Sequence, residues 1–61
     1  MEKFIIALNK TDKTELDKNN FKFVIKEIMD NRVVYIYEND KELVVKLKDK
    51  NKFLFSSLLF V

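Results

Sequence analysis

The sequence predicts a small, mainly β protein built on an antiparallel sheet of about five strands. Between residues 21 and 48, runs rich in β-branched and aromatic residues are separated by two polar turns, Asp30-Asn31 and Asn39-Asp40. Two-residue loops that contain Asn or Asp are typical of β-hairpins. The two turns therefore predict a three-stranded antiparallel meander.

Pairing the strands outward from these turns collects the apolar residues on one face. Ile25 then lies opposite Ile36, and Ile36 lies opposite Leu43. The predicted core face contains Phe23, Ile25, Val34, Ile36, Leu43, Val45 and Leu47. Because a slip of one residue would scatter this set over both faces, the pattern specifies its own register.

Further strands are expected on either side of the meander. Residues 3–8 alternate as a strand buried on one face and partly buried on the other does, and the apolar residues 53–60 predict a last strand. Asn51 would take the left-handed position of the short hairpin loop before that last strand.

The polar residues 9–20 predict a loop with one helical turn. Thr11 or Asp12 would cap this turn, and Leu16 would lie under the sheet. No linker or repeat interrupts the chain, so residues 1–61 are expected to form a single small domain.

An amphipathic helix is a second interpretation of residues 21–29. Apolar residues recur there at helical spacing, at Phe21, Val24, Ile25, Ile28 and Met29. Asn20 is an acceptable cap for such a helix, whereas Phe23 would fall on its polar side. This version predicts an α+β fold of β-α-β-β-β order with its helix at about residues 20–30.

The layout of residues 3–48 resembles small SH3-like barrels, a group that includes compact archaeal chromatin proteins. Those proteins bind DNA through a sheet face of aromatic residues and lysines, so the resemblance implies a partly open barrel and a DNA-binding face. It rests on strand layout and on no sequence motif. The chain also lacks glycine, which commonly marks the bends of such barrels.

The composition argues against catalysis. The chain contains no histidine and no cysteine, and Ser56 and Ser57 lie in an apolar run without a neighbouring base. Phosphate-binding loops and dinucleotide fingerprints both need glycine, and the carboxylates lie mostly in turns or beside lysines. The sequence therefore predicts a protein that is not an enzyme, with no catalytic residue, no cofactor and no metal site.

No apolar segment approaches the ~20 residues that a membrane-spanning helix needs, and the first residues do not form a signal-peptide pattern. We therefore expect a cytoplasmic protein with no membrane partner.

The face of the meander opposite the predicted core is the expected binding surface. Apolar and aromatic residues at its centre would form an exposed patch with lysines around it, and large exposed patches usually mark interfaces. The predicted partner-binding residues are Val33, Tyr35, Tyr37, Val44, Lys22, Lys26, Lys46 and Lys48. The first hypothesis is a regulator or inhibitor that binds an unknown protein partner through this face.

The same residues support nucleic-acid binding as a second hypothesis, with bases stacked on the tyrosines and phosphates bound by the lysines. The formal net charge of +2 is small for a nucleic-acid-binding protein. A homodimer through the apolar C-terminal strand is a third hypothesis, because such an edge invites strand pairing. An ordinary exposed strand with no partner would show the same composition.

Overall fold

A β-hairpin, residues 23–38, lies at one side of a four-stranded antiparallel sheet in the computed structural model, which describes residues 2–57. The strands are β1 (Phe4–Ala7), β2 (Phe23–Met29), β3 (Arg32–Glu38) and β4 (Leu54–Ser56). Their order across the sheet is β2-β3-β1-β4. The small antiparallel sheet predicted from the sequence is confirmed, and its described strands form an open sheet with β2 and β4 at the edges.

The hairpin of β2 and β3 follows the sequence prediction. Asp30 and Asn31 both have positive φ angles, 52° and 62°, as a two-residue type I′ turn requires. Ile25 pairs with Ile36, which is the predicted register. The strand interpretation of this segment is therefore confirmed, and the helical alternative is not formed.

The predicted third strand of the meander is wrong. Residues 42–48 form most of a short helix, α2 (Lys41–Val44), and the turn that follows it. Asp40 accepts a hydrogen bond from the backbone N–H of Glu42 at 2.9 Å, so this polar turn starts a helix instead of a hairpin. The place beside β3 is taken by β1, and Val45 is 70% exposed instead of buried in the core.

A longer helix, α1 (Lys10–Lys18), replaces the loop that was expected over residues 9–20. The Oδ1 atom of Asn9 accepts a hydrogen bond from the backbone N–H of Asp12 at 2.8 Å. Asn9 is therefore the N-cap, and the prediction of Thr11 or Asp12 in that position is wrong.

The C-terminus of α1 is closed without glycine. Asn20 takes a left-handed conformation with a φ of 66°. The N–H of Phe21 donates to the carbonyl of Leu16 at 3.1 Å, and that of Asn20 to the carbonyl of Asp17 at 3.2 Å, which is the Schellman arrangement. Leu16 has no exposed surface, so its predicted burial is confirmed.

Both faces of the sheet are buried at the centre. The face covered by the helices, here called the helix face, has a buried cluster made of Ile5, Ala7, Leu16, Phe21, Tyr35, Tyr37, Leu47 and Phe53. The buried residues of the opposite face are Ile6, Val34 and Ile36. Val34, Ile36 and Leu47 were predicted core residues and are buried, whereas Phe23 and Ile25 are 47% and 40% exposed.

The predicted last strand is observed over part of its length. β4 covers Leu54–Ser56, and residues 58–60 of the predicted strand lie outside the described residues. Asn51 lies in a 3-10 turn, Lys50–Lys52, and its φ is not positive, so the left-handed loop position predicted for it is wrong.

Replacement of the helix cap gives a first testable expectation. Asn9→Ala should lower the free energy of unfolding by about 1 kcal/mol, because the N–H of Asp12 loses its acceptor. Asn51→Ala is the matched control, since the Asn51 side chain is exposed and makes no hydrogen bond to a described residue. Urea denaturation measures both changes, and equal midpoints for the two variants would contradict the capping role.

Candidate functional site

Tyr35 and Tyr37, the predicted aromatic anchors, are buried. They are 7% and 0% exposed because they lie on the helix face, under α1. As predicted, the tyrosines lie on one face of β3, and Val34 and Ile36 lie on the other face. The predicted exposure of the tyrosines to solvent is wrong.

The two valines of the predicted site do not form one patch. Val33 lies near the tip of the hairpin and is 39% exposed. Val44 belongs to α2, where it is half-buried and packs against the cluster of the helix face. The predicted contact surface around Val44 depended on the third meander strand, which is not formed.

The four predicted lysines are all exposed, as the hypotheses require, but they occupy different elements. Lys26 lies in β2 beside α1, whereas Lys46 and Lys48 follow α2. Lys22 precedes β2 and lies 4.0 Å from the carboxylate of Glu38. The structure therefore separates the lysines that the sequence had placed on one face.

Most of the exposed large apolar side chains in the described part of the chain lie on the hairpin. Five of the seven exposed large apolar side chains in residues 2–57 belong to β2 and β3, and we call them the hairpin surface: Phe23, Val24, Ile25, Ile28 and Val33. Ile28 is the most exposed of them at 76%. A β-bulge between Phe23 and Ile25 turns Phe23 to the helix face and leaves Ile25 on the opposite one.

β2 is also an edge strand, with no partner beyond it among the described strands. Met29 and Arg32 flank the two-residue turn and form its closing hydrogen-bonded pair, so hydrogen-bonded pairs recur at every second residue of β2. Glu27 and Ile25 therefore bond to β3, while the backbone N–H and C=O groups of Lys26 and Ile28 point away from the sheet.

One cleft lies between α1 and β2, and we call it the aromatic cleft. Its volume is about 590 Å³, and it is lined by Lys10, Lys13, Thr14, Phe23, Lys26 and Tyr35. The Nζ atom of Lys13 lies 5.7 Å from the ring centroids of both Phe23 and Tyr35, within the range of a cation–π interaction. The Phe23 ring stands edge-on to Tyr37, with a centroid distance of 5.2 Å.

Asp17 connects α1 to the buried tyrosine. Its carboxylate accepts hydrogen bonds from the hydroxyl of Tyr37 and from Lys13, the latter at 2.9 Å. Lys13 and then Tyr37 lower the pKa of Asp17, and Asp17 in turn raises the pKa of Lys13. Burial, followed by the hydrogen bond to Asp17, raises the pKa of Tyr37 to about 12.

A second cleft lies on the other side of α1, and we call it the polar cleft. Its volume is about 540 Å³, and it is lined by Thr11, Thr14, Glu15, Lys18, Asn19, Lys46 and Lys48. Lys52 lies 2.7 Å from the carboxylate of Glu15 and 3.5 Å from that of Asp12. The pKa of Glu15 is lowered, mainly by Lys52, so this acid stays ionised and paired.

Sequence reasoning missed the lysines of α1, because a polar segment with one apolar residue was interpreted as a loop. Two signals for the helix were present. Asn9 stands three residues before Asp12, as a cap and its partner do, and Lys13 and Asp17 have the spacing of a helical ion pair.

The carboxylates of residues 2–57 form no group of three or more that could hold a metal ion. No helix in the described part of the chain is long and apolar enough to cross a membrane.

No protein-family model, curated protein or solved structure matches the chain.

Proposed function

We propose that this chain is a small, non-catalytic, cytoplasmic regulator or inhibitor that binds an extended segment of a partner protein along β2. The observation that carries the proposal is an edge strand of seven residues with apolar side chains exposed on both of its faces. An edge strand can add a strand from another chain, whose backbone supplies the missing hydrogen bonds.

The exposed groups of β2 indicate the chemistry of the segment. Its backbone would bond to the outward N–H and C=O groups of Lys26 and Ile28. On the helix face, an acidic residue suits Lys26, and an apolar residue suits Ile28 and Val33. On the opposite face, a second apolar residue would cover Ile25, which is 40% exposed.

A second copy of the chain fits this edge poorly. In a two-fold antiparallel pairing, the residue on the axis faces its own copy. With Lys26 or Glu27 on the axis, like charges face each other, which destabilises the pair. With Ile28 on the axis, the turn at Asp30 shortens the stretch over which the two β2 strands can pair. With Ile25 on the axis, the β-bulge interrupts that pairing. Homodimerisation through the C-terminal strand is a separate prediction that does not use this edge.

Proline at position 26 tests the proposal. Because the N–H of Lys26 points away from β3, Lys26→Pro should leave the hairpin folded while it blocks an added strand. A displayed library of random 12-residue peptides, selected against the wild-type protein, provides the probe. We expect Lys26→Pro to weaken the binding of the selected peptides by about tenfold or more, a loss of ~1.4 kcal/mol of binding free energy.

Lys26→Thr is the matched control, since it removes the lysine but keeps the N–H and a good strand former. Lys26→Thr should bind the selected peptides far more tightly than Lys26→Pro does. NMR spectra of the backbone amides should show that strands β3 and β1 remain folded in both variants. In the wild-type complex, NMR shifts should concentrate at Lys26 and Ile28. Strand addition at β2 would be refuted if the selected peptides shift the NMR signals of other residues instead. It would also be refuted if they bind the proline variant as tightly as the wild type.

A further inference from the structure

The lysines around α1 form a second surface, which shares Lys26 with the edge of β2. Thr14 lines both the aromatic cleft and the polar cleft, so the two clefts adjoin on opposite sides of one helix. Six lysines line them together: Lys10, Lys13, Lys18, Lys26, Lys46 and Lys48. Glu15 is the carboxylate that lines them, and it is paired with Lys52.

The charge of these lysines is largely uncompensated. Lys10, Lys18, Lys26 and Lys46 make no ion pair with any residue in the described part of the chain. The acids of α1 are occupied elsewhere, since Asp17 pairs with Lys13, and Lys52 pairs with Glu15 and Asp12. The overall charge of +2 therefore conceals a local concentration of positive charge.

An aromatic ring lies within this positive surface. Phe23 lines the aromatic cleft and is 47% exposed, and its ring stands edge-on to Tyr37 with the Nζ atom of Lys13 at 5.7 Å from its centroid. A half-exposed ring beside lysines can stack an unpaired base while the lysines bind the flanking phosphates. An acidic peptide without an aromatic residue would use the lysines but would not stack on the ring.

We propose that the two clefts flanking α1 bind a single-stranded nucleic acid, with a base stacked on Phe23 and the backbone bound by lysines of both clefts. A single strand is favoured over a duplex because stacking on a side chain requires an unpaired base. The proposal does not rest on strand addition at β2, although both use Lys26, and its test changes other lysines and uses a different probe.

The test measures the fluorescence anisotropy of a labelled 12-nucleotide thymidine strand as the full chain is added. The variant Lys10→Gln, Lys18→Gln, Lys46→Gln removes three charges from the clefts. The control Lys3→Gln, Lys41→Gln, Lys50→Gln removes three exposed charges that line neither cleft. Both variants have the same net charge, and melting curves establish that both are folded.

We expect the cleft variant to bind at least about tenfold more weakly than the control. The slope of log K against log salt should fall by about 2, because each phosphate contact to a single strand contributes ~0.7. Phe23→Leu should weaken the binding of the single strand by about tenfold, because one stacked base loses its aromatic partner, and should leave the binding of a duplex unchanged.

Three results would overturn the proposal. Equal weakening by the two lysine variants would mean general attraction without a site. No anisotropy change at roughly 10⁻⁴ M protein would mean binding below the non-specific level. Competition by poly-glutamate as effective as competition by the unlabelled strand would mean that the ligand is an acidic protein segment.

Discussion

Ile36→Ala should remove most of the stability of the domain. Ile36 is fully buried, and it pairs with Ile25 of β2 on one side and with Ile6 of β1 on the other. Truncation of such a side chain costs about 2–5 kcal/mol, through lost burial and the cavity left behind. Small domains have a total stability near the lower end of roughly 5–15 kcal/mol, so the variant should be largely unfolded on heating to body temperature.

The matched control for this prediction is Ile28→Ala, the same replacement on the same hairpin at a side chain that is 76% exposed. We expect it to change the free energy of unfolding by less than about 1 kcal/mol, because surface substitutions seldom cost more. Chemical denaturation followed by circular dichroism measures both variants. A midpoint for Ile36→Ala equal to that of Ile28→Ala would show that Ile36 does not contribute to the core.

The hairpin could be predicted because its information is local. Asp30 and Asn31 tolerate the positive φ angles that the turn needs, and the alternation on either side then sets the register. Asn39-Asp40 is chemically similar, yet Asp40 caps a helix there. The same side-chain acceptors serve turns and helix N-termini, so the residue types alone do not distinguish the two outcomes.

The position of β1 beside β3 could not be predicted in the same way. Ile6 pairs with Ile36 across a long stretch of chain, and no turn between them specifies the pairing. The predicted third strand had apolar residues of the right type, but β1 is apolar on both faces and so suits a central position.

The candidate site was only partly predictable for a related reason. Alternation correctly placed Tyr35 and Tyr37 on the face opposite Ile36, but it does not specify which face another element covers. The cover is α1, which contributes a single buried apolar side chain, Leu16, and therefore shows almost no hydrophobic periodicity. The β-bulge at Val24 places Phe23 on the helix face as well. Phe23, instead of either tyrosine, is therefore the exposed aromatic residue of that face.

Loss of stability at alkaline pH should depend on the Tyr37 hydroxyl. The pKa of Tyr37 is raised to about 12 in the folded protein, by burial and by the hydrogen bond to Asp17. The unfolded chain has a tyrosine pKa near ~10, so the stabilisation is complete below pH ~10 and is lost between ~10 and ~12. A difference of about two units corresponds to ~2–3 kcal/mol.

Tyr37→Phe should therefore abolish this part of the pH dependence. At neutral pH it should cost about 1.5–3 kcal/mol, the usual contribution of a hydrogen bond to a charged group. Tyr35→Phe is the control, because the Tyr35 hydroxyl makes no hydrogen bond with a described residue. Lys52, whose pKa is raised mainly by Glu15, is retained in both variants, so its loss of stabilisation at high pH is shared. The pKa of Lys13 is raised mainly by Asp17 and in smaller part by Tyr37, so Tyr37→Phe also removes that smaller part of the pH dependence.

Urea denaturation at pH values from 8 to about 12 measures the effect. We expect the free energy of unfolding of the wild type and of Tyr35→Phe to fall steeply above pH ~10, and that of Tyr37→Phe to fall less. Parallel curves for all three proteins would show that the hydroxyl of Tyr37 ionises as easily in the folded protein as in the unfolded chain. In that case the hydrogen bond between Tyr37 and Asp17 would not join α1 to the sheet.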